Sequence, residues 1–111
     1  MTDIEQLKLA AKAADYGFVY KRRISNDAHE WTSEDGMLWQ WNPLLDDGQA
    51  LRLAVKLGIE IYVYESSTEA VAVKNIEAGT AVGFEIPHNN DPYKATRRAI
   101  VKAASHIGKS L

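Results

Sequence analysis

Three tryptophans stand close together in the chain: Trp31, Trp39 and Trp41 fall within 11 residues. They lie in or beside the segment 24–51, which contains six acidic residues and no lysine or arginine. An indole ring buries a large area at low entropic cost, and carboxylates attract cationic groups, so this combination suits a basic or apolar partner. It predicts a partner-binding site at these tryptophans, with Trp31 as the most exposed. The alternative is that Trp39 and Trp41 cover the open end of a sheet.

The C-terminal segment is basic, and its charged residues are all lysines and arginines. Residues 92–111 contain five lysines and arginines and no acidic residue, although the net charge of the whole chain is only -2. Arg97, Arg98 and Lys102 have a spacing that can line a phosphate backbone, which makes nucleic-acid association the second hypothesis. The structural alternatives are a solvated helix face, or neutralisation of these charges by the acidic middle segment.

The remaining polar residues form no recognisable catalytic or metal-binding pattern. Cysteine is absent, which excludes disulfides, thiolate zinc sites and a cysteine nucleophile. The three histidines show none of the helical spacings of zinc ligands, and the glycines are scattered instead of clustered in a phosphate-binding loop. Asp46 and Asp47 suit a helix cap better than acid–base catalysis. We therefore predict a non-enzymatic protein with no catalytic residue, metal or cofactor.

The length and composition of the chain are typical of a single globular domain. The chain has 111 residues, of which 46% are hydrophobic and 25% charged, close to the averages for globular proteins. No apolar run approaches the ~20 residues that a membrane-spanning helix needs, and Asp3 and Glu5 near the start are unlike a secretory signal. We predict a single domain over 1–111, located in the cytoplasm and without a membrane partner.

Capping signals mark three helices. Thr2 and Glu5 have the spacing of a capping box, Asp46 or Asp47 can cap a second helix, and Asp91-Pro92 is typical of a third. The second helix is apolar on most sides, so we expect it to be mostly buried. The predicted helices span 3–15, a segment that follows the cap at Asp46 or Asp47 and ends at Gly58, and 93–107, with Gly17, Gly58 and Gly108 as their closing glycines.

Runs of β-branched and aromatic residues predict up to five strands, at 18–24, 37–41, 59–65, 70–76 and 81–86. The first two pair across a loop at 25–36, and the last three form an antiparallel meander because their connections are short. Since the meander has apolar residues on both faces, helices should cover both. The expected fold is α+β, in the order α-β-(β)-α-β-β-β-α, with one antiparallel sheet of three to five strands between helices.

Two segments resemble a known family. The first is Trp41-Asn42-Pro43-Leu44 with the following helix to Gly58, and the second is Asp91-Pro92 with residues 95–104. Over 39–111 they resemble small phage and prophage proteins grouped around the phage α-β-α sandwich domain. The resemblance implies helix–sheet–helix layering and the cytoplasm of a bacterial host, and it implies no activity. We predict a phage-type accessory protein, a binding module for a host or phage protein.

Overall fold

The computed structural model describes residues 1–25, 28–75 and 80–111. Its helices and strands form two three-stranded antiparallel sheets, β1-β2-β3 and β4-β5-β6, with three helices, so the fold is α+β. The predictions that involve residues 26, 27 and 76–79 lie outside the described residues. The elements are α1 (Asp3–Ala13), β1 (Val19–Arg23), β2 (His29–Thr32), β3 (Leu38–Gln40), α2 (Asp47–Leu57), β4 (Glu60–Val63), β5 (Ser67–Asn75), β6 (Thr80–Pro87) and α3 (Pro92–Lys109).

Side-chain caps begin all three helices, as predicted. The Thr2 hydroxyl accepts a hydrogen bond from the Glu5 N–H at 3.2 Å, and the Glu5 carboxylate accepts one from the Thr2 N–H at 3.1 Å. Asp46 and Asp91 cap α2 and α3 in the same way, each through the amide three residues further on. Gly58 follows α2 with a φ of 65°, the left-handed conformation that glycine adopts without steric cost.

Gly108 does not close α3, contrary to the prediction. It lies inside the helix and is buried where α3 packs against α1. A Cβ atom at this position would lie 1.9 Å from the carbonyl oxygen of Leu9, so only a residue without a side chain fits. Gly108 therefore allows α1 and α3 to approach each other closely, and it does not terminate α3.

The first sheet contains a strand that the sequence did not predict. β2 lies in its centre and pairs with β1 on one side and β3 on the other, so the loop predicted over 25–36 and the direct pairing of 18–24 with 37–41 are wrong. This segment shows no clean alternation because polar and apolar side chains are buried together, namely His29, Glu30 and Trp31. Ladder hydrogen bonds to β1 and β3 make it a strand, although its own residues show no strand pattern.

The second sheet is the predicted meander, β4-β5-β6, and within the described ranges helix α3 packs on one of its faces. Thr68, Ala70 and Ala72 of β5 are buried on the side where α3 packs. On the opposite face Tyr62 and Tyr64 are 45% and 49% exposed. The single sheet that we predicted is therefore corrected to two sheets, and the arrangement with helices on both faces is not confirmed.

Most of the buried apolar residues belong to one cluster that joins both sheets and all three helices. Leu7 of α1, Trp31 of β2, Leu53 of α2 and Val101 of α3 are completely enclosed in it. Among the described residues, no helix combines the length and the apolar character that crossing a bilayer requires.

Candidate protein-binding groove

The three tryptophans do not form one exposed surface. Trp31 is 0% exposed and Trp41 6%, whereas Trp39 is 46% exposed and packs beside Phe18. Trp31 Nε1 donates a hydrogen bond to the Trp41 carbonyl oxygen at 2.9 Å, and the two rings meet edge to face. The prediction that Trp31 is the most exposed is wrong, because the central strand β2 turns its indole into the core. Of the predicted partner-binding set, Trp39 presents an accessible ring.

The two arginines of α3 contact neighbouring parts of the chain. Arg97 Nη1 lies 2.7 Å from Asp47 Oδ1, and its Nε donates to the Leu44 carbonyl oxygen at 2.8 Å. Arg98 Nη1 lies 2.8 Å from Asp3 Oδ1, and this hydrogen bond lowers the pKa of the Asp3 carboxyl. The Arg97 guanidinium thus connects α3 to α2, and the Arg98 guanidinium connects α3 to α1. These ion pairs leave fewer free N–H groups to bind a phosphate backbone. Lys102, the third residue of the predicted nucleic-acid set, lies half-buried one turn beyond Arg98.

The helix α2 exposes part of the apolar surface that we expected to be buried. Ala50, Leu53 and Ala54 face the core, but Leu51 is 58% exposed and Val55 73% exposed. The reason is that α2 packs mainly against α3 and touches the second sheet little. The sequence showed that α2 is apolar on most sides. It did not show which of these sides would pack against the rest of the fold and which would stay exposed.

A groove of about 530 Å³ separates α2 from β4. Its walls are the first half of α2 and the edge strand β4, and α3 forms its floor. The lining is mainly apolar, and the Arg97–Asp47 ion pair is its charged part. The groove is lined by Asp47, Ala50 and Leu51 of α2, Ile61 and Val63 of β4, and Pro92, Tyr93, Thr96, Arg97 and Ile100 of α3.

The strand β4 turns backbone hydrogen-bonding groups away from the sheet. Among the strands that the structure describes it pairs with β5 alone and lies at the edge, and next to it the Tyr64 N–H donates to the Ser67 carbonyl oxygen at 2.8 Å. Hydrogen-bonded and non-hydrogen-bonded pairs alternate along an antiparallel ladder. The N–H and C=O groups of Ile61 and Val63 therefore point outward, and the side chains of these two residues line the groove.

The open face of the second sheet combines tyrosines with carboxylates. Tyr62 lies opposite Glu69 in the ladder, and Glu69 lies opposite Glu85. The Tyr62 hydroxyl donates to Glu60 and the Tyr64 hydroxyl to Glu69. The hydrogen bond to Glu60 raises the pKa of the Tyr62 phenol, and desolvation followed by the charge of Glu69 raises the pKa of Tyr64. The open face is therefore acidic and aromatic, and β4 contributes residues both to this face and to the groove.

No family model, curated protein or solved structure matches this chain. The resemblance to phage proteins stays a prediction. The function of the groove is therefore inferred from the residues and backbone groups that line it. Within residues 1–25, 28–75 and 80–111, no group of three or more histidine, aspartate and glutamate side chains is arranged to hold a metal ion. What the groove offers is apolar surface together with free backbone groups.

Proposed function

We propose that this protein is a protein-binding module that accepts an extended segment of a partner protein as an additional strand on β4. The observation that carries the proposal is a coincidence at Ile61 and Val63. Their backbone groups point away from the sheet, and their side chains line an apolar groove of about 530 Å³. Strand addition uses these two features, because main-chain hydrogen bonds supply affinity and pockets for alternate side chains supply specificity.

The groove has the size and lining of a binding site for side chains. Its volume falls within the range of about 300–1,000 Å³ that is typical of ligand sites. In a strand added to β4, every second side chain would enter the groove between Leu51 and Ile100. Burial of such side chains stabilises a complex by about 25 cal/mol per Å² before the cost of ordering the peptide.

Binding fits this groove better than catalysis. Its charged lining residues, Asp47 and Arg97, hold each other in an ion pair at 2.7 Å. The other lining residues are apolar apart from the hydroxyls of Tyr93 and Thr96, and the Thr96 hydroxyl donates to the Pro92 carbonyl oxygen. If the resemblance to phage proteins holds, the partner is a host or phage protein in the bacterial cytoplasm.

A displayed library of random short peptides, selected against the full chain, tests the proposal. Peptides that bind should be extended, and in NMR titrations they should shift the amide signals of Ile61 and Val63. Val63→Pro removes an outward N–H without removing a ladder hydrogen bond, so we expect it to weaken binding while the fold persists. Failure to select any peptide above background would overturn the proposal.

A matched pair of substitutions on α2 locates the binding surface. Leu51 lines the groove and Val55, one turn further on, does not, although both are exposed. Leu51→Asp should weaken binding by about ten-fold or more, because it places a charge where an apolar side chain would be desolvated. Val55→Asp should leave the affinity within about two-fold. Equal effects of the two substitutions would exclude the groove as the site.

A further inference from the structure

We infer that the segment bound on β4 alternates apolar residues with lysine or arginine. The inference rests on the proposed function and goes further by specifying the chemistry of the partner. It follows from the two sides of β4, which differ in character: Ile61 and Val63 line the apolar groove, whereas Glu60 and Tyr62 belong to the open acidic face.

Successive side chains of an added strand point to opposite faces of the sheet. One set would therefore lie beside Ile61 and Val63 and enter the groove. The other set would lie on the open face, beside Glu60, Tyr62 and Tyr64. Directly opposite residues on neighbouring strands have Cβ atoms about 5 Å apart, and diagonal neighbours are within reach of long side chains. The side chains on the open face therefore determine which residue types are favoured at every second position of the partner segment.

Charge complementarity makes that second set basic. The charged side chains that the structure describes on the open face are all carboxylates, namely Glu60, Glu69 and Glu85. Tyr62 and Tyr64 on the same face are about half exposed. A lysine or arginine opposite Tyr62 would meet both an aromatic ring and the Glu60 carboxylate, so cation–π attraction and ion pairing act on the same group.

The same charges disfavour a second copy of the chain as the occupant. Pairing of β4 with β4 of another molecule would bring Glu60 of both copies onto one face, together with Glu69. Like charges on adjacent strands destabilise a sheet, and charged side chains are a common device that prevents edge strands from pairing with themselves. An acidic partner segment would meet the same repulsion.

Three short, end-blocked peptides test the inference: alternating Val-Lys, Val-Thr and Val-Glu, titrated against the full chain. Two or three cross-strand charge pairs correspond to about ten-fold in affinity, so Val-Lys should bind about ten-fold more tightly than Val-Thr at low salt. Val-Glu should bind more weakly than Val-Thr. High salt should reduce these differences, because the paired charges are exposed to solvent.

A pair of charge-neutralising substitutions assigns the preference to the open face. Glu60→Gln should reduce the advantage of Val-Lys over Val-Thr, whereas Glu34→Gln, which changes an exposed carboxylate in the other half of the molecule, should not.

Equal binding of Val-Lys and Val-Thr that remains sensitive to Leu51→Asp would overturn this inference and leave the proposed function standing. Absence of binding by all three peptides and by any selected peptide would overturn both. A dimer in sedimentation that Leu51→Asp dissociates would show that a second copy covers the groove, which overturns the inference.

Discussion

At the residue scale, Trp31 organises the aromatic half of the core. Its ring meets those of Tyr20 and Trp41 edge to face, with centroids 5.0 and 5.5 Å away. Its Nε1 also satisfies the Trp41 carbonyl oxygen at 2.9 Å inside the core. A buried carbonyl without a partner carries a desolvation penalty, so the indole contributes both packing and a hydrogen bond that phenylalanine cannot replace.

We expect Trp31→Phe to lower the free energy of unfolding by about 2–4 kcal/mol, from a cavity and an unsatisfied acceptor together. Trp39→Phe, the same change at a half-exposed ring, should cost less than about 1 kcal/mol. Urea denaturation followed by circular dichroism measures both. Equal losses in the two variants would contradict the different environments of the two rings.

We expect His29 to make the stability of the fold depend on pH, because its imidazole is buried. Burial lowers the pKa of its imidazole from the ordinary value of 6.5, and the charge of Arg23 lowers it further. The unfolded chain then binds a proton at a pH where the folded chain does not. The free energy of unfolding therefore falls as pH decreases from 6.5 towards the lowered pKa of the folded state.

Replacement of His29 by Gln should flatten this part of the stability profile. We expect the free energy of unfolding of the parent chain to drop as pH decreases below the ordinary histidine pKa of 6.5, and that of His29→Gln to change less over the same interval. Urea titrations at several pH values measure the slope, and an NMR titration of the imidazole assigns it. Identical slopes in both chains would exclude His29 as the group responsible.

At the element scale, α1 and α3 approach each other closely at Gly108. The nearest atom to a Cβ at this position would be a backbone oxygen, at 1.9 Å, and backbone cannot move aside as a flexible side chain can. Elsewhere in an exposed helix, replacing glycine by alanine stabilises by about 1 kcal/mol. Here the steric conflict opposes that gain.

Gly108→Ala should therefore destabilise the fold, with a net loss of about 1–3 kcal/mol after the gain in helix propensity. Lys109→Ala, at the exposed neighbouring position, should change stability by less than about 0.5 kcal/mol. Thermal unfolding of the two variants provides the comparison. A stabilised Gly108→Ala chain would mean that the two helices can separate without cost.

At the scale of the whole molecule, ion pairs join different helices and neighbouring strands. Arg97 of α3 contacts Asp47 of the acidic middle segment, and Arg98 contacts Asp3 of α1. In the first sheet, Arg22 and Lys21 lie 3.1 and 3.9 Å from Glu30. These contacts place opposite charges side by side, so the fold neutralises locally part of the charge that is segregated along the sequence. None of these contacts favours nucleic-acid association, which stays a prediction.

A double-mutant cycle of Arg97→Met and Asp47→Asn should give a coupling free energy of about 0.2–1 kcal/mol at low salt, because the Asp47 side chain is largely exposed. The coupling should decrease at high salt through screening. The single Arg97→Met variant should cost more than the coupling alone, since it also removes the hydrogen bond to the Leu44 carbonyl oxygen. A coupling that is insensitive to salt would indicate a pair shielded from solvent.

The sequence by itself determined the features that depend on neighbouring residues. The capping box at Thr2 and Glu5, the caps at Asp46 and Asp91, and the left-handed Gly58 are confirmed, because each is made within a few residues of chain. The β4-β5-β6 meander is confirmed for the same reason, since short connections leave antiparallel pairing as the available geometry.

Only the tertiary structure decided which surfaces are covered. The strand β2 exists because β1 and β3 pair with it, and Trp31 is buried because that strand is central. Gly108 belongs to a helix crossing and not to a helix end, since the deciding atom is on α1. The groove follows from the same cause: Leu51 and Ile61 are ordinary apolar residues in the sequence, and only the packing of α2 and β4 against α3 places them on the two walls of a groove. Contacts between remote residues carry no local pattern, and the candidate site consists of such contacts.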